Sequence, residues 1–156
     1  MIQTYLSFTI CGDHYAVNVS KVLEVLQEEY ITPVPNAPTY IGGIINFRGD
    51  VVPIFETRMR FNLPERDKND LYNIIVLDVS DGSDTYRLGG IVDKVKDVIN
   101  IDDADIKPVP PMSKEFNTDF LQGIYKLDKE FIMLLNVEKV FSGTELHSIK
   151  ETTNHE

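Results

Sequence analysis

Apolar and polar positions divide much of the chain into short runs rich in β-branched and aromatic residues. Four such runs form two pairs, and each pair flanks a polar turn: residues 4–10 and 14–19, then residues 72–80 and 85–92. Two runs of this kind around a short polar turn are typical of a β-hairpin. The pattern therefore predicts two hairpins, with turns at Gly12-Asp13 and at residues 81–84.

Two segments depart from the strand pattern. In residues 18–26 the apolar positions 19, 22, 23 and 26 follow helical spacing, and Asn18 or Ser20 could cap the first turn. This predicts a short helix or helical turn. Residues 143–156 end in the polar run HSIKETTNHE, whose apolar content is too low for packing, and we predict a flexible C-terminal tail.

The chain also resembles itself, because three segments recur in the same order. Residues 20–25 match 93–98 at an offset of 73, residues 31–35 match 106–110 at an offset of 75, and residues 40–61 match 120–141 at an offset of 80. An internal repeat of this kind indicates a duplicated structural unit. The third match is the longest and contains no gap.

The repeat predicts two related β subdomains, residues 1–62 and 72–142, joined by the polar stretch 62–70. Each unit would carry about five strands, and a small sheet of that size usually hides its edges by closing into a barrel. We expect Ile44 to face the inside of the first barrel. The predicted fold class is mainly β.

The turn Arg48-Gly49-Asp50 interrupts two apolar runs. Its counterpart, residues 128–130, reads Asp-Lys-Glu, so the fold needs polar residues there but no arginine. Gly49 can supply a left-handed backbone conformation, and Asp50 can accept hydrogen bonds from turn amides. Arg48 either contacts a partner or forms a local ion pair with Asp50 or Glu56.

Charge and composition narrow the function classes. The chain has 25 acidic and 15 basic residues and a formal net charge of −10, which argues against phosphate backbones and anionic lipid as partners. It has no signal-peptide pattern and no apolar run of about 20 residues, so we expect a cytoplasmic protein without direct membrane insertion. The single cysteine, Cys11, is interpreted as a small core residue in a reducing compartment.

The sequence contains few residues that could form a catalytic, metal-binding or nucleotide-binding site. The three histidines are far apart, no His/Cys cluster has zinc spacing, and the nucleotide-binding and serine-hydrolase motifs are missing from the sequence. The acidic group Asp102–Asp105 could bind a cation such as calcium or could be a solvated loop. Glu24 could be a buried general acid or an exposed surface residue. A binding module is favoured over an enzyme, with no metal or cofactor.

The most specific stretch is residues 43–54, GIINFRGDVVPI. It is close to a signature of the CheW coupling proteins of bacterial chemotaxis, G-[VI]-x-N-[LV]-R-G-x-[VI]-[VIL]-P-[VI]. The chain resembles this family over residues 4–142. The resemblance implies a single CheW-like domain, residues 1–142, made of two SH3-like five-stranded β-barrel subdomains with short helices.

The resemblance also implies a function. It implies a signal-transduction adaptor, without catalysis, that couples the cytoplasmic helical hairpin tips of chemoreceptors to the regulatory domain of the histidine kinase CheA. The protein would then be associated with membrane receptor arrays, with the receptor tip in an apolar groove between the barrels. Positions that match the family's receptor-binding and kinase-binding sites are Val22, Glu24, Gly43, Arg48 and Val98.

One departure and several alternatives stay open. Residues 56–58 read Glu-Thr-Arg where many members have Asp-Leu-Arg, so a strand-end contact of that Asp would be longer or absent. The same signature occurs in the regulatory domain of the kinase and in CheV-type adaptors. An excised regulatory domain, an adaptor of a non-motility pathway, and a small β-barrel enzyme or ligand carrier are the alternatives.

Overall fold

The computed structural model describes residues 1–80, 82–110 and 118–154. Within them, ten strands form two five-stranded sheets. The strands are β1 Ile2–Ile10, β2 Asp13–Asn18, β3 Val22–Gln27, β4 Ile41–Phe47, β5 Asp50–Glu56, β6 Asn73–Ser80, β7 Thr85–Val92, β8 Lys94–Asp102, β9 Leu121–Leu127 and β10 Glu130–Leu135. Two α-helices, α1 Thr57–Arg60 and α2 Gly143–Asn154, complete the fold with short 3-10 turns at Val19–Lys21, Asp103–Asp105 and Val137–Lys139. The mainly β fold predicted from the sequence is confirmed.

The two sheets have the same topology. The first sheet has the strand order β8-β1-β2-β10-β9, and the second sheet has the order β3-β6-β7-β5-β4. A shift of five strands along the chain converts one order into the other. Both sheets also contain one parallel pair at the equivalent place, β2 with β10 and β7 with β5. The internal repeat read from the sequence is therefore a structural repeat.

The predicted subdomain boundaries, 1–62 and 72–142, are wrong for the sheets. The hairpin β1–β2 of the first repeat pairs with strands of the second repeat, and the hairpin β6–β7 pairs with strands of the first. The repeats have exchanged their leading hairpins. Because both repeats present equivalent strand edges, sequence self-similarity reveals the repeat but not the copy with which a hairpin pairs.

Isolated bridges and register shifts occur at positions that the sequence repeat makes equivalent. Isolated bridges join Thr32 to Ile44 and Lys107 to Ile124, and the second pair is the repeat counterpart of the first. Register shifts occur at equivalent places, just before Gly43 in the β4–β5 pair and just before Gly123 in the β9–β10 pair. The long match of the sequence repeat therefore covers equivalent hairpins.

The largest hydrophobic cluster takes residues from both sheets. It joins Phe8 and Tyr15 of the first sheet to Phe55 and Leu77 of the second. Each sheet also encloses a smaller cluster of its own, one around Ile54 and the other around residues such as Leu134. Because the apolar surface between the sheets is buried as core, the two units pack directly on each other.

Ile44 does not face the barrel interior as expected. The buried residues of β4 are Gly43, Ile45 and Phe47, and Ile44 is only half-buried. Successive side chains of a strand point to opposite faces, so Ile45 is the inward residue. The sequence run Ile44-Ile45 is apolar at both positions, and it therefore carries no alternation from which the inward face could be read.

The helical turn after β2 is shorter than predicted. Only Val19–Lys21 form a 3-10 turn, and Val22–Gln27 continue as strand β3, which pairs with β6. The predicted cap is confirmed, because the Asn18 side chain accepts a hydrogen bond of 2.9 Å from the Ser20 amide. Pairing with β6 outweighs the helical spacing, and β3 itself contains two β-branched residues, Val22 and Val25.

The C-terminal segment is helical instead of flexible over Gly143–Asn154. Leu146, which is 1% exposed, and Ile149 are buried in the main cluster. Arg60 fixes the start of this helix, because its guanidinium donates hydrogen bonds of 2.8 and 2.9 Å to the Glu145 carboxylate. The prediction of a flexible tail rested only on the composition of the tail. Two aliphatic residues three positions apart are enough to dock a helix where a sheet offers them an apolar face.

Cys11 lies in a turn at the edge of the core, where it packs against the main cluster. The β1–β2 turn consists of Cys11 and Gly12, at φ +53° and +85°, one residue earlier than the Gly12-Asp13 turn predicted. Cys11 is half-buried, and its amide donates a hydrogen bond of 2.8 Å to Asp93. Two positive φ angles match the type I′ turns that suit two-residue hairpins.

Candidate partner-binding surface

The Arg48-Gly49 turn is a tight two-residue hairpin connection. Arg48 and Gly49 have φ angles of +53° and +87°, and Phe47 pairs with Asp50 across the turn. The left-handed conformation predicted for Gly49 is thus confirmed. The predicted role of Asp50 is wrong, because the turn amide of Gly49 donates to the Asn46 side chain at 3.0 Å.

Arg48 forms an ion pair with a residue of strand β3. Its Nη2 lies 3.0 Å from Oε2 of Glu24 on β3, and its guanidinium lies over the Phe47 ring at 4.7 Å. Neither predicted local partner is used, because Asp50 pairs with Arg87 at 3.1 Å and Glu56 pairs with Arg66 at 3.7 Å. Asp50 and Glu56 are each paired with another arginine, and Arg48 pairs with Glu24 instead.

The Arg48–Glu24 pair is accessible to solvent. The side chains are 65% and 41% exposed, respectively. Exposed ion pairs contribute about 0–1 kcal/mol to folding, and most guanidinium donors of Arg48 remain available. The surface interpretation of Glu24 agrees with this geometry, and a buried general acid does not. The pair places adjacent positive and negative charges at the surface.

Gly43 has a structural role. It is buried at φ +143°, and a Cβ atom added there would lie 2.2 Å from the Thr32 carbonyl oxygen. The backbones approach closely because the Thr32 and Ile44 amides exchange hydrogen bonds of 2.9 Å with each other's carbonyls. Only glycine fits this conformation without strain. Any influence of Gly43 on partner binding would act through the shape of the β4 backbone.

Replacement of Gly43 by alanine is expected to lower the free energy of unfolding by about 2–4 kcal/mol, because backbone strain and a steric clash occur together. Gly42→Ala is the matched control, since its added Cβ would meet its nearest atom at an ordinary 3.5 Å. Urea denaturation of both variants measures the difference. Equal stability of the two alanine variants would contradict the structural role.

Val22 and Val98 lie on different sheets. Val22 is half-buried, pairs with Leu77 and packs against the main cluster. Val98 pairs with Leu6 and is 64% exposed. The structure therefore makes Val98 a residue available to a partner, whereas Val22 contributes also to the core.

The repeat identifies one further surface residue that sequence analysis missed. At the offset of 73, Val98 corresponds to Val25 and Val22 corresponds to Val95. Val25 is exposed like Val98, and Val95 packs against the main cluster like Val22. The signal was present in the aligned repeat, since the exposed valines occupy equivalent positions of β3 and β8.

The acidic group at residues 102–105 caps a turn. Asp102 accepts a hydrogen bond of 3.0 Å from the Ala104 amide, and Asp103 accepts one from Gln3. Across the described residues, no three His, Cys, Asp or Glu side chains come together as a potential metal site. His14 forms a contact of 3.0 Å with Glu130. The geometry agrees with the interpretation of 102–105 as a solvated turn.

The end of β5, where the sequence departs from the family pattern, is held by an ion pair. Arg58 of α1 binds both oxygens of Asp93 at 3.0 Å, and the buried Thr57 hydroxyl donates to the Ile91 carbonyl. Burial raises the pKa of the Glu56 carboxyl, while Arg66 opposes this effect. Arg58 and Asp93 thus tie the end of β5 to the chain after β7.

Comparisons with known proteins agree with this architecture. A family model described as the CheW-like domain matches residues 4–145. A probable chemotaxis protein CheW of Rhizobium etli is 33% identical over 90% of this chain and 88% of its own length. The chemotaxis protein CheW of Bacillus subtilis is 30% identical over 88% of this chain and 86% of its own length.

A solved structure shares the fold as well as the sequence pattern. The scaffolding protein TtCheW of Thermoanaerobacter tengcongensis superimposes with a TM-score of 0.79 and 32% identity, covering 90% of this chain and 93% of its own. In the described part of the chain, no helix has the length and apolarity to cross a membrane. The sequence match, the duplicated sheets and the shared fold together place the chain in the CheW-like domain family.

Proposed function

We propose that this protein is a chemotaxis adaptor that couples the cytoplasmic tips of chemoreceptors to the histidine kinase CheA. The observation that carries the proposal is the match of the CheW-like domain over residues 4–145. The relatives are named as chemotaxis or scaffolding proteins. The adaptor would act in the cytoplasm at receptor arrays, and its function requires binding surfaces without catalysis.

The surface that supports receptor binding has two parts. The first is the exposed Arg48–Glu24 pair beside Phe47, and the second is the exposed apolar side chain of Val98. Interface hot spots often combine an arginine with apolar contacts that lose water on binding. An exposed valine and a weak surface ion pair contribute little to folding. Stability alone therefore does not account for either part of this surface.

Val98→Lys is expected to weaken binding to a receptor helical hairpin fragment at least tenfold, because an apolar contact is replaced by an ammonium that must lose water. The melting temperature should stay near that of the wild type, since Val98 is 64% exposed. Binding of the CheA regulatory domain should change less. Calorimetric titration with each partner measures both affinities.

Leu71→Lys is the matched control for this substitution, because Leu71 is also an exposed aliphatic residue and lies outside both parts of the proposed surface. It should leave receptor binding unchanged. Wild-type receptor affinity of the Val98→Lys protein would place the receptor contact elsewhere. If neither receptor nor kinase fragment bound the wild-type protein, the adaptor function itself would be refuted.

A further inference from the structure

The repeat gives the two sheets equivalent outer surfaces, and α2 covers one of them. On the second sheet, Ile149 of α2 lines a cavity with Ile44 and Pro53, and Leu146 lies beside Pro53 in an adjoining one. Pro53 is buried although it points away from the barrel interior. This surface of β4 and β5 is therefore a docking site for a helix, and the chain fills it with its own.

The first sheet carries the same surface on β9 and β10. At the offset of 80, Ile44 corresponds to Ile124, Pro53 to Met133 and Val51 to Phe131. These residues belong to a groove of about 480 Å³, which we call the β9–β10 groove; its apolar lining includes Val109, Leu121, Ile124, Phe131 and Met133. The apolar character of the helix site is thus repeated on the first sheet.

The β9–β10 groove differs from its counterpart in exposure. Met133 is half-buried where the equivalent Pro53 is buried, and Phe131, which is 55% exposed, is a larger apolar side chain than its counterpart Val51, which is 42% exposed. Within the described residues the chain has one helix longer than a single turn, α2, and it contacts β5 of the second sheet. An exposed aromatic residue at the edge of an apolar groove is typical of an interaction site.

The charges around the groove indicate which charge a partner should carry. Asp13 and Glu130 line it together with His14, and the chain as a whole carries a net charge of −10. A cationic partner is favoured by this field. On the second sheet, the side chains that fill the site are aliphatic residues three positions apart, Leu146 and Ile149.

We propose that the β9–β10 groove binds an amphipathic helix of a partner protein, which presents two aliphatic residues three positions apart beside lysine or arginine. The partner helix occupies the place that α2 occupies on the second sheet. The interaction follows the helix-in-groove mode, in which a few aliphatic anchors enter an apolar channel. None of the five residues assigned above to receptor and kinase binding lines this groove.

The test uses a synthetic helical peptide of about four turns, long enough for measurable helicity in water, with leucine and isoleucine three apart and lysines beside them. It is titrated into the full-length ¹⁵N-labelled protein and followed by NMR. Amide shifts are expected to cluster at Ile124, Phe131 and Met133. Phe131→Asp should weaken binding at least tenfold, whereas Val51→Asp, the equivalent change on the second sheet, should stay within twofold of wild type.

The proposal would be overturned by the absence of saturable binding, by shifts that cluster away from β9 and β10, or by equal weakening in both variants. A peptide with serine in place of leucine and isoleucine checks that binding is not merely electrostatic, and equal affinity of this peptide would also overturn it. Phe131→Ser provides a second variant if Phe131→Asp fails to fold. The assay contains neither receptor nor kinase, so its outcome is separate from that of the proposed adaptor function.

Discussion

Ile45→Asp is expected to unfold most of the protein at room temperature. Ile45 is 4% exposed inside the second sheet, where it packs with Val52 and Ile54 in one cluster. Burial of an unpaired carboxylate costs several kcal/mol, and removal of the isoleucine adds about 2–5 kcal/mol. Small domains are stable by about 5–15 kcal/mol, so this single change removes much of the stability.

Two neighbouring variants make the Ile45 result specific. Ile44→Asp should be less damaging, because Ile44 is half-buried on the opposite face, and Arg48→Ala should leave the melt nearly unchanged. Thermal and urea unfolding of the three proteins ranks them. A greater loss for Ile44→Asp than for Ile45→Asp would reverse the assignment of inward and outward faces on β4.

Arg48→Glu is expected to abolish receptor-dependent activation of the kinase while the fold is retained. The wild-type arginine contributes at most about 1 kcal/mol to folding through its exposed pair with Glu24. Loss of an arginine at an interface hot spot typically costs about 2 kcal/mol or more, which is over tenfold in affinity. A reconstituted assay with receptor, CheA and the variant measures activation.

The exchange variant Arg48→Glu/Glu24→Arg separates docking from local pairing. It restores an ion pair between the same two positions, one in the β4–β5 turn and one on β3, but moves the positive charge to position 24. If Arg48 docks on a partner, activation stays lost in the exchange variant. Recovery of activation would show that the pair acts by fixing the turn, and wild-type activation in the single variant would remove Arg48 from the interface.

Sequence patterns were sufficient for features that depend on neighbouring residues or on the repeat itself. The β-rich runs predicted both hairpins, the polar turn predicted the positive φ of Gly49, and Asn18 predicted the cap of the turn before β3. The repeat offsets placed the equivalent hairpins β4–β5 and β9–β10. Backbone preferences and hydrogen bonds between adjacent residues determine these features, and a sequence window contains them completely.

Other features depend on surfaces supplied from elsewhere in the chain. The flexible tail prediction was wrong because α2 uses an apolar face of β5 and a clamp from Arg60. The partner of Arg48 was misassigned because Asp50 and Glu56 have cations nearby, Arg87 and Arg66, that no local pattern could reveal. Such contacts join residues that can lie far apart in the chain, as Arg60 and Glu145 do.

By itself, then, the sequence determined the duplicated β architecture, the hairpin turns and the resemblance to the CheW family. Only the tertiary structure decided which hairpin pairs with which repeat, that Ile45 is the inward residue, and that Val98 is exposed while Val22 meets the core. The physical reason is that the two repeats present nearly equivalent edges and apolar faces. The choice among equivalent partners is made by the packing of the complete core, in which burial of both sheets against each other is optimised at once.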